Sequence, residues 1–209
     1  VKLKKISALG VDPYPAKFSK SKVDISKALG MLNKNTAVAG RIWRWREHGN
    51  VVFADLKDSS GQIQLMFIKQ SLTANWPVIK LLDVGDFLGV EGKIIKTQAG
   101  ETTIDVSSFE LLAKSLRALP DDWHGLKDVE ERYRQRYVDL LLSDAVRQVF
   151  LTRTKIVSLL RQTLDKEGFI EVETPVLQSI YGGTLAKPFS THHNALDSDF
   201  FLRISDELY

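Results

Sequence analysis

The sequence predicts two successive folds, a small all-β barrel and then a region built from a long helix followed by extended chain. Three observations carry this. Between about Thr36 and Leu112, five short stretches alternate apolar and polar residues and are separated by turn residues. Near Pro120 a proline followed by two aspartates interrupts the pattern. From about Ser143 to Lys166, apolar residues recur mostly at steps of three and four.

The strand stretches are VAGRIWRWRE, NVVFADLKD, GQIQLMFIK, GDFLGVEGKIIKT and ETTIDVSSFELL. DSSG at Asp58 to Gly61 joins the second to the third as a hairpin. A helix-compatible insertion lies around Ser71 to Leu82. Five short strands within ~75 residues, with one such insertion, suit an oligonucleotide/oligosaccharide-binding (OB) barrel; a small SH3-type barrel is the competing reading.

Side chains on a strand alternate between its faces, so the hairpin sorts its own residues. Val52, Ala54 and Leu56 form an apolar row that belongs inside, with Ile63, Leu65 and Phe67 facing them from the next strand. Val51, Phe53 and Asp55 then share an exposed outer face beside Gln62, Gln64 and Met66. Arg44 and Arg46 share one face of the first strand, while Trp43 and Trp45 share the other as core or groove wall. Single-stranded RNA is held by stacking bases on aromatic rings and by hydrogen bonds to base edges. Phe53 offers a ring, Gln64 a donor and an acceptor, and Arg46 a charge for a phosphate. The plainer reading of Phe53 is an edge contact or part of a domain interface.

With 209 residues, 44% of them hydrophobic and 26% charged, the chain has an ordinary globular composition and is not a disordered polyelectrolyte. No apolar run approaches the ~20 residues of a membrane-spanning helix. VKLKKISALG lacks the apolar core of a secretory signal. The absence of cysteine removes disulfides and thiolate metal sites. The expected location is cytoplasmic, with no membrane partner. Net charge is +3, yet residues 1–30 hold seven lysines against two aspartates. Such an arm attracts polyanions; a solvated leader is the alternative.

The expected organisation is a basic segment over residues 1–35, the barrel over 36–119, a linker over 120–142 and a second domain over 143–209. In the first segment VDPYPAKF disfavours helix, and Ser26 to Leu32 suits a short one. In the linker, a loop at Pro120 and Asp121-Asp122 precedes a charged helix. Arg132, Arg134 and Arg136 there read as solvated or interface charge, or as contacts to nucleic-acid backbone. Ser143 or Asp144 caps the long helix and Gly168 closes it. Phe169, Ile170 and Val172 suit an apolar strand that Pro175 stops. Gly182 and Gly183 mark a loop, and Glu207 on its own reads as a surface glutamate. No metal site is expected: His192 and His193 are adjacent on a strand and face opposite ways.

Helix, strand and proline in this order resemble motif 1 of the class II aminoacyl-tRNA synthetases. GRIWRWREHGNVVFADLKDSSGQIQL and GGTLAKPFSTHHNALDSDFFLRISDELY are similar to the lysyl-tRNA synthetases of the lysine, aspartate and asparagine subgroup. The resemblance covers nearly the whole chain and implies an anticodon-binding OB domain followed by an α+β, antiparallel-sheet catalytic domain. It implies that Phe53 and Gln64 read the central anticodon base of tRNA(Lys), with Arg46 beside them. Strand KIIKTQAGE is similar to the stretch that contacts neighbouring bases. For the amino acid, it implies that the Gly183 carbonyl and the Glu207 carboxylate receive the α-ammonium of lysine, although Asp206 stands where the family has proline. Gly168 and Pro175 fall in the implied homodimer interface.

The implied reaction activates lysine on ATP with Mg2+ and transfers it to tRNA, by positioning and charge stabilisation rather than by a side-chain nucleophile. The resemblance places the ATP-binding motifs 2 and 3 outside these residues, so the catalytic domain is expected to be truncated, without catalytic residues of its own. An aspartyl- or asparaginyl-type synthetase and a non-catalytic RNA-binding paralogue are the other readings.

Overall fold

The computed structural model describes residues 1–120, 126–207 and 209. The chain divides into two compact units, Val1–Asp121 and Asp122–Tyr209. The loop expected at Asp121-Asp122 lies outside the described residues.

The first unit begins with two short helices, α1 (Lys2–Ala8) and α2 (Ile25–Ala28). Five strands follow: β1 (Asn35–His48), β2 (Val51–Lys57), β3 (Gln62–Ile68), β4 (Phe87–Lys96) and β5 (Thr102–Ala113). They close into a barrel in the order β1-β2-β3-β5-β4, with β3 and β5 parallel and β4 returning to β1. This is the OB arrangement expected from the spacing, since closure removes the exposed strand edges of an open sheet. The insertion between β3 and β4 forms a 3-10 turn, Thr73–Asn75, and a helix α3 (Trp76–Ile79), which send Trp76 and Ile79 into the core.

The hairpin rows fall as the alternation requires. Val52, Ala54, Leu56, Leu65 and Phe67 are fully buried, and Ile63 is 2% exposed. Two expectations are corrected. Trp43 and Trp45 do not share a face, because the register of β1 against β2 shifts between Ile42 and Arg44, leaving Trp43 as the extra residue of a bulge. Trp45 packs against the core beside Phe67, 5.9 Å between ring centres, whereas the Lys57 ammonium lies over Trp43 at 5.1 Å. The solvated-leader reading also fails. Helix α1 buries Ile6 completely in the barrel core, and α2 adds Ile25 and Ala28.

Polar contacts tie this N-terminal segment down. The Asp58 carboxylate, at the β2–β3 turn, accepts from the amide of Ile25 at the start of α2 and from the amides of Ser60 and Gly61. Burial pushes its pKa up, but these hydrogen bonds and the Ser60 hydroxyl outweigh burial and hold it below the ordinary value. At the exit of the barrel Lys114, 5% exposed, donates to both oxygens of the fully buried Asp86 at 2.9 and 3.0 Å and to Asp83 at 2.7 Å. Lys2 of α1 reaches the same Asp83, and the Lys114 amide donates to the Pro13 carbonyl.

The second unit holds α4 (Val129–Arg134), α5 (Arg136–Leu142), α6 (Asp144–Lys166), β6 (Leu177–Gln178), β7 (Ser190–His193) and β8 (Ser198–Leu202). The strands form an antiparallel sheet in the order β6-β8-β7. Ser143 caps α6 by accepting from the Val146 amide. Gly168, at φ +86°, closes it, with its amide and that of Phe169 returning to Asp165 and Leu164. Arg132 and Arg136 pair with the buried Asp139, and Arg134 with Glu130. The strand expected at Phe169, Ile170 and Val172 is not one. These residues run without a sheet partner among the described residues and are 65%, 85% and 72% exposed, since extended chain becomes a strand only against another edge.

Two outcomes test this description. Lys114→Met strands the Asp86 carboxylate in the interior and is expected to cost about 3 to 5 kcal/mol in urea unfolding, with Lys114→Met/Asp86→Asn costing less than the sum of the single changes. A depressed carboxyl pKa contributes stability above the unfolded value of about 4 and loses it as pH falls through the folded value. Asp58→Asn is therefore expected to flatten the acid limb of a stability-against-pH curve, and an unchanged limb contradicts the assignment.

Candidate nucleic-acid interface and amino-acid pocket

The outer face of the β1–β2–β3 sheet collects the three residues expected to act together. Register places Arg46 opposite Phe53, Phe53 opposite Met66, and Asp55 opposite Gln64. Phe53 is half-buried, with the His48 ring edge-on at 6.2 Å. Beside it, Leu29, Arg44, Arg46, Asp55, Gln64 and Glu101 contribute to a groove of about 370 Å³.

Asp55 was expected to be exposed on this face and is instead 6% exposed. Its carboxylate lies under the arginines: Arg46 Nη2 donates to Oδ1 at 2.9 Å, Arg44 Nε stands 3.9 Å from Oδ2, and Gln62 Nε2 donates to Oδ2 at 3.3 Å. A side chain can point away from the core and still be covered when longer neighbours fold over it. Asp55 thus fixes the two guanidinium groups along the groove.

Gln64 is held at both ends. Its Nε2 donates to Glu101 Oε2 at 2.7 Å, and its Oε1 accepts from the Thr103 hydroxyl at 2.8 Å. Glu101 and Thr103 were not singled out from sequence. The signal that could have found them is the β3–β5 parallel pairing, Gln64 opposite Thr103, a long-range contact that hairpin reasoning does not reach. The result is an amide whose donor and acceptor are set in direction, next to a carboxylate and a ring.

In the second unit the chain brings Gly183 and Glu207 together. Gly183 sits at φ +86°, and a Cβ there would stand 2.9 Å from the Ser205 side chain and 3.0 Å from Glu207 Cβ, so the position requires glycine on both counts. Glu207 is exposed and its amide donates to Ser205 Oγ. The neighbouring Asp206 accepts from the Thr174 hydroxyl at 2.6 Å and pairs with Arg203 at 2.8 Å, and Arg203 also donates to the Thr174 carbonyl. Asp206 therefore ties this loop to the residue preceding Pro175. His192 bonds Asp199 at 2.9 Å while the His193 ring faces Phe200, so the two histidines serve different neighbours. No helix among the described residues is long and apolar enough to cross a membrane.

Comparison with known proteins matches both units. A family model described as an OB-fold nucleic acid binding domain covers residues 36–112, and one described as tRNA synthetases class II (D, K and N) covers residues 128–209. The lysine-tRNA ligases of Carboxydothermus hydrogenoformans and Syntrophomonas wolfei are each 47% identical over 212 residues, which cover 100% of this chain. That of Thermoanaerobacter sp. is 47% identical over 214 residues. In each case the chain spans 43% of the relative's length. With an OB-fold domain leading into a synthetase region, the chain is similar along its whole length to lysine-tRNA ligases, and its second unit to the class II tRNA synthetases of the D, K and N group.

Proposed function

We propose that the chain is the anticodon-reading barrel and the first part of the amino-acid pocket of a lysine-tRNA ligase, which joins lysine to tRNA(Lys) at the expense of ATP. The observation that carries the proposal is the outward face on which Phe53 stands beside a groove lined by Arg46 and Gln64, in a chain similar along its whole length to lysine-tRNA ligases. Phe53 stacks the central anticodon base. Gln64 and Glu101 set a donor and an acceptor side by side, the complement of the adjacent carbonyl and N3–H of a uracil. A base entering there exchanges the Gln64–Glu101 hydrogen bond for two of its own. Arg46, positioned by Asp55, faces the backbone or the base plane.

In the second unit, the Gly183 carbonyl and the Glu207 carboxylate receive the lysine α-ammonium. A cation entering a closed pocket needs such a pairing to offset several kcal/mol of desolvation. ATP and Mg2+ are proposed for the ligase on the family's chemistry. Among the described residues no group of three His, Cys, Asp or Glu side chains could hold a metal. A homodimer is proposed through α6 and the segment from Gly168 to Pro175. Supporting it, Val149, Ile156, Leu160 and Leu164 of α6 are between 50% and 67% exposed and lie in sequence with the unpartnered Phe169, Ile170 and Val172. Action in the cytoplasm completes the reading.

Binding of labelled anticodon stem-loop RNA, native and with the central base replaced, tests the groove. Phe53→Ala is expected to weaken the native RNA roughly 5- to 150-fold, the loss of one stacked base. Gln64→Ala is expected to narrow the gap between the two RNAs. Unchanged binding by both variants removes the groove from consideration. Lysine-dependent ATP–pyrophosphate exchange is expected to be absent from the 209-residue chain, and its presence would refute the reading that it holds only the first part of the amino-acid pocket.

A further inference from the structure

The groove is lined by two arginines and two carboxylates, Arg44 and Arg46 against Asp55 and Glu101. Its floor therefore carries no net charge, and Arg46 already spends its guanidinium on Asp55. A strand of RNA brings one negative charge per nucleotide, and binding to it draws mainly on cations that replace condensed counterions. That attraction has to come from outside the floor.

We infer that the rim of the groove supplies it, through Lys27, Lys34 and Lys96, which form a phosphate-binding edge for the RNA strand entering the groove. The inference rests on the reading of the groove given above. Two backbone segments make this rim. One is α2 with the turn after it, which contributes Leu29 to the lining and carries Lys27 and Lys34. The other is the β4–β5 hairpin, which contributes Glu101 and Thr102, and in which Lys96 stands directly opposite Thr102. The two segments are bonded to each other: the Asn33 amide donates to the Ile94 carbonyl, and the Ile94 amide donates to the Lys34 carbonyl.

All three lysines are exposed, and none forms an ion pair among the described residues. Elsewhere on this unit Lys2, Lys20 and Lys80 are matched by Asp83, Glu91 and Glu47, whereas Lys4 and Lys5 of α1 are exposed without an ion pair among the described residues. What marks Lys27, Lys34 and Lys96 is their place on the segments that border the groove. Near the groove the carboxylates are already taken, Asp55 by arginines, Glu101 by Gln64 and Asp58 by backbone amides. The rim is thus cationic where the floor is neutral. Work divides accordingly: floor residues discriminate between bases, and rim residues set affinity without regard to sequence.

The test compares the parent chain with Lys27→Gln/Lys34→Gln/Lys96→Gln, and with Lys4→Gln/Lys5→Gln on α1 as a control for general charge. Fluorescence anisotropy follows a single-stranded heptanucleotide of the anticodon loop, and a copy with its central uridine replaced, between 50 and 200 mM KCl. The rim variant is expected to weaken both RNAs by the same factor and to lower the slope of log K against log salt by about 2, three contacts at roughly 0.7 each. The control is expected to keep a slope within about 0.5 of the parent. An unchanged slope in the rim variant, or an equal fall in the control, overturns the inference. Equal binding of the two RNAs by the parent overturns base reading alone, and no binding of either RNA sinks both.

Discussion

The period-two alternation of a closed barrel is the constraint on which the rest of the first unit depends. Val52, Ala54 and Leu56, with Ile63, Leu65 and Phe67, must all face the core, and a slip of one residue would turn both rows out to solvent. Burying six such side chains is worth far more than any polar contact on the outer face. The outer row is therefore fixed by the inner one. Arg46, Phe53 and Gln64 come together because the positions between them are apolar, and the register Arg46–Phe53–Met66 follows from hairpins that allow no other pairing.

On that scaffold neighbouring side chains arrange the polar chemistry of the groove. Asp55 holds two arginines, and Thr103 with Glu101 orients Gln64. The same economy governs the exit of the barrel. Lys114 there joins Asp83 and Asp86, and contacts from Lys2 and Pro13 bring the N-terminal segment into one structure with the strands. Burial disfavours the Lys114 ammonium, yet the two carboxylates outweigh it and raise its pKa, so the cation persists in the interior at any physiological pH. In the second unit Asp206 plays a comparable part, linking Thr174 and Arg203 next to Glu207.

Legibility in the sequence followed the range of the interaction. The five strands, the hairpin faces, the capped helix α6 and the closing Gly168 were readable because periodicity, Ser143 and a single glycine act locally. The bulge at Trp43 was not, since an extra residue in one strand is visible only against its partner. Helix α1 was hidden because its one deeply buried side chain, Ile6, sits among lysines and is stabilised by a distant barrel rather than by a stripe of its own. Glu101 and Thr103 escaped notice because the parallel β3–β5 pairing joins residues far apart in sequence. The expected strand at Phe169 to Val172 has the composition of a strand and no edge to pair with among the described residues. For the second unit, the meeting of Gly183 with Glu207 was reachable through family resemblance and not through pattern.

The central claim is that an outward ring beside the groove and a fixed amide within it receive a single unstacked base. NMR of the chain with a uridine-centred single-stranded RNA measures this directly. The account predicts intermolecular nuclear Overhauser contacts from the Phe53 ring to one nucleobase, with the Gln64 side-chain amide shifting in the same titration. Contacts confined to the lysines of the rim, with the Phe53 ring and the Gln64 amide unmoved, would contradict it.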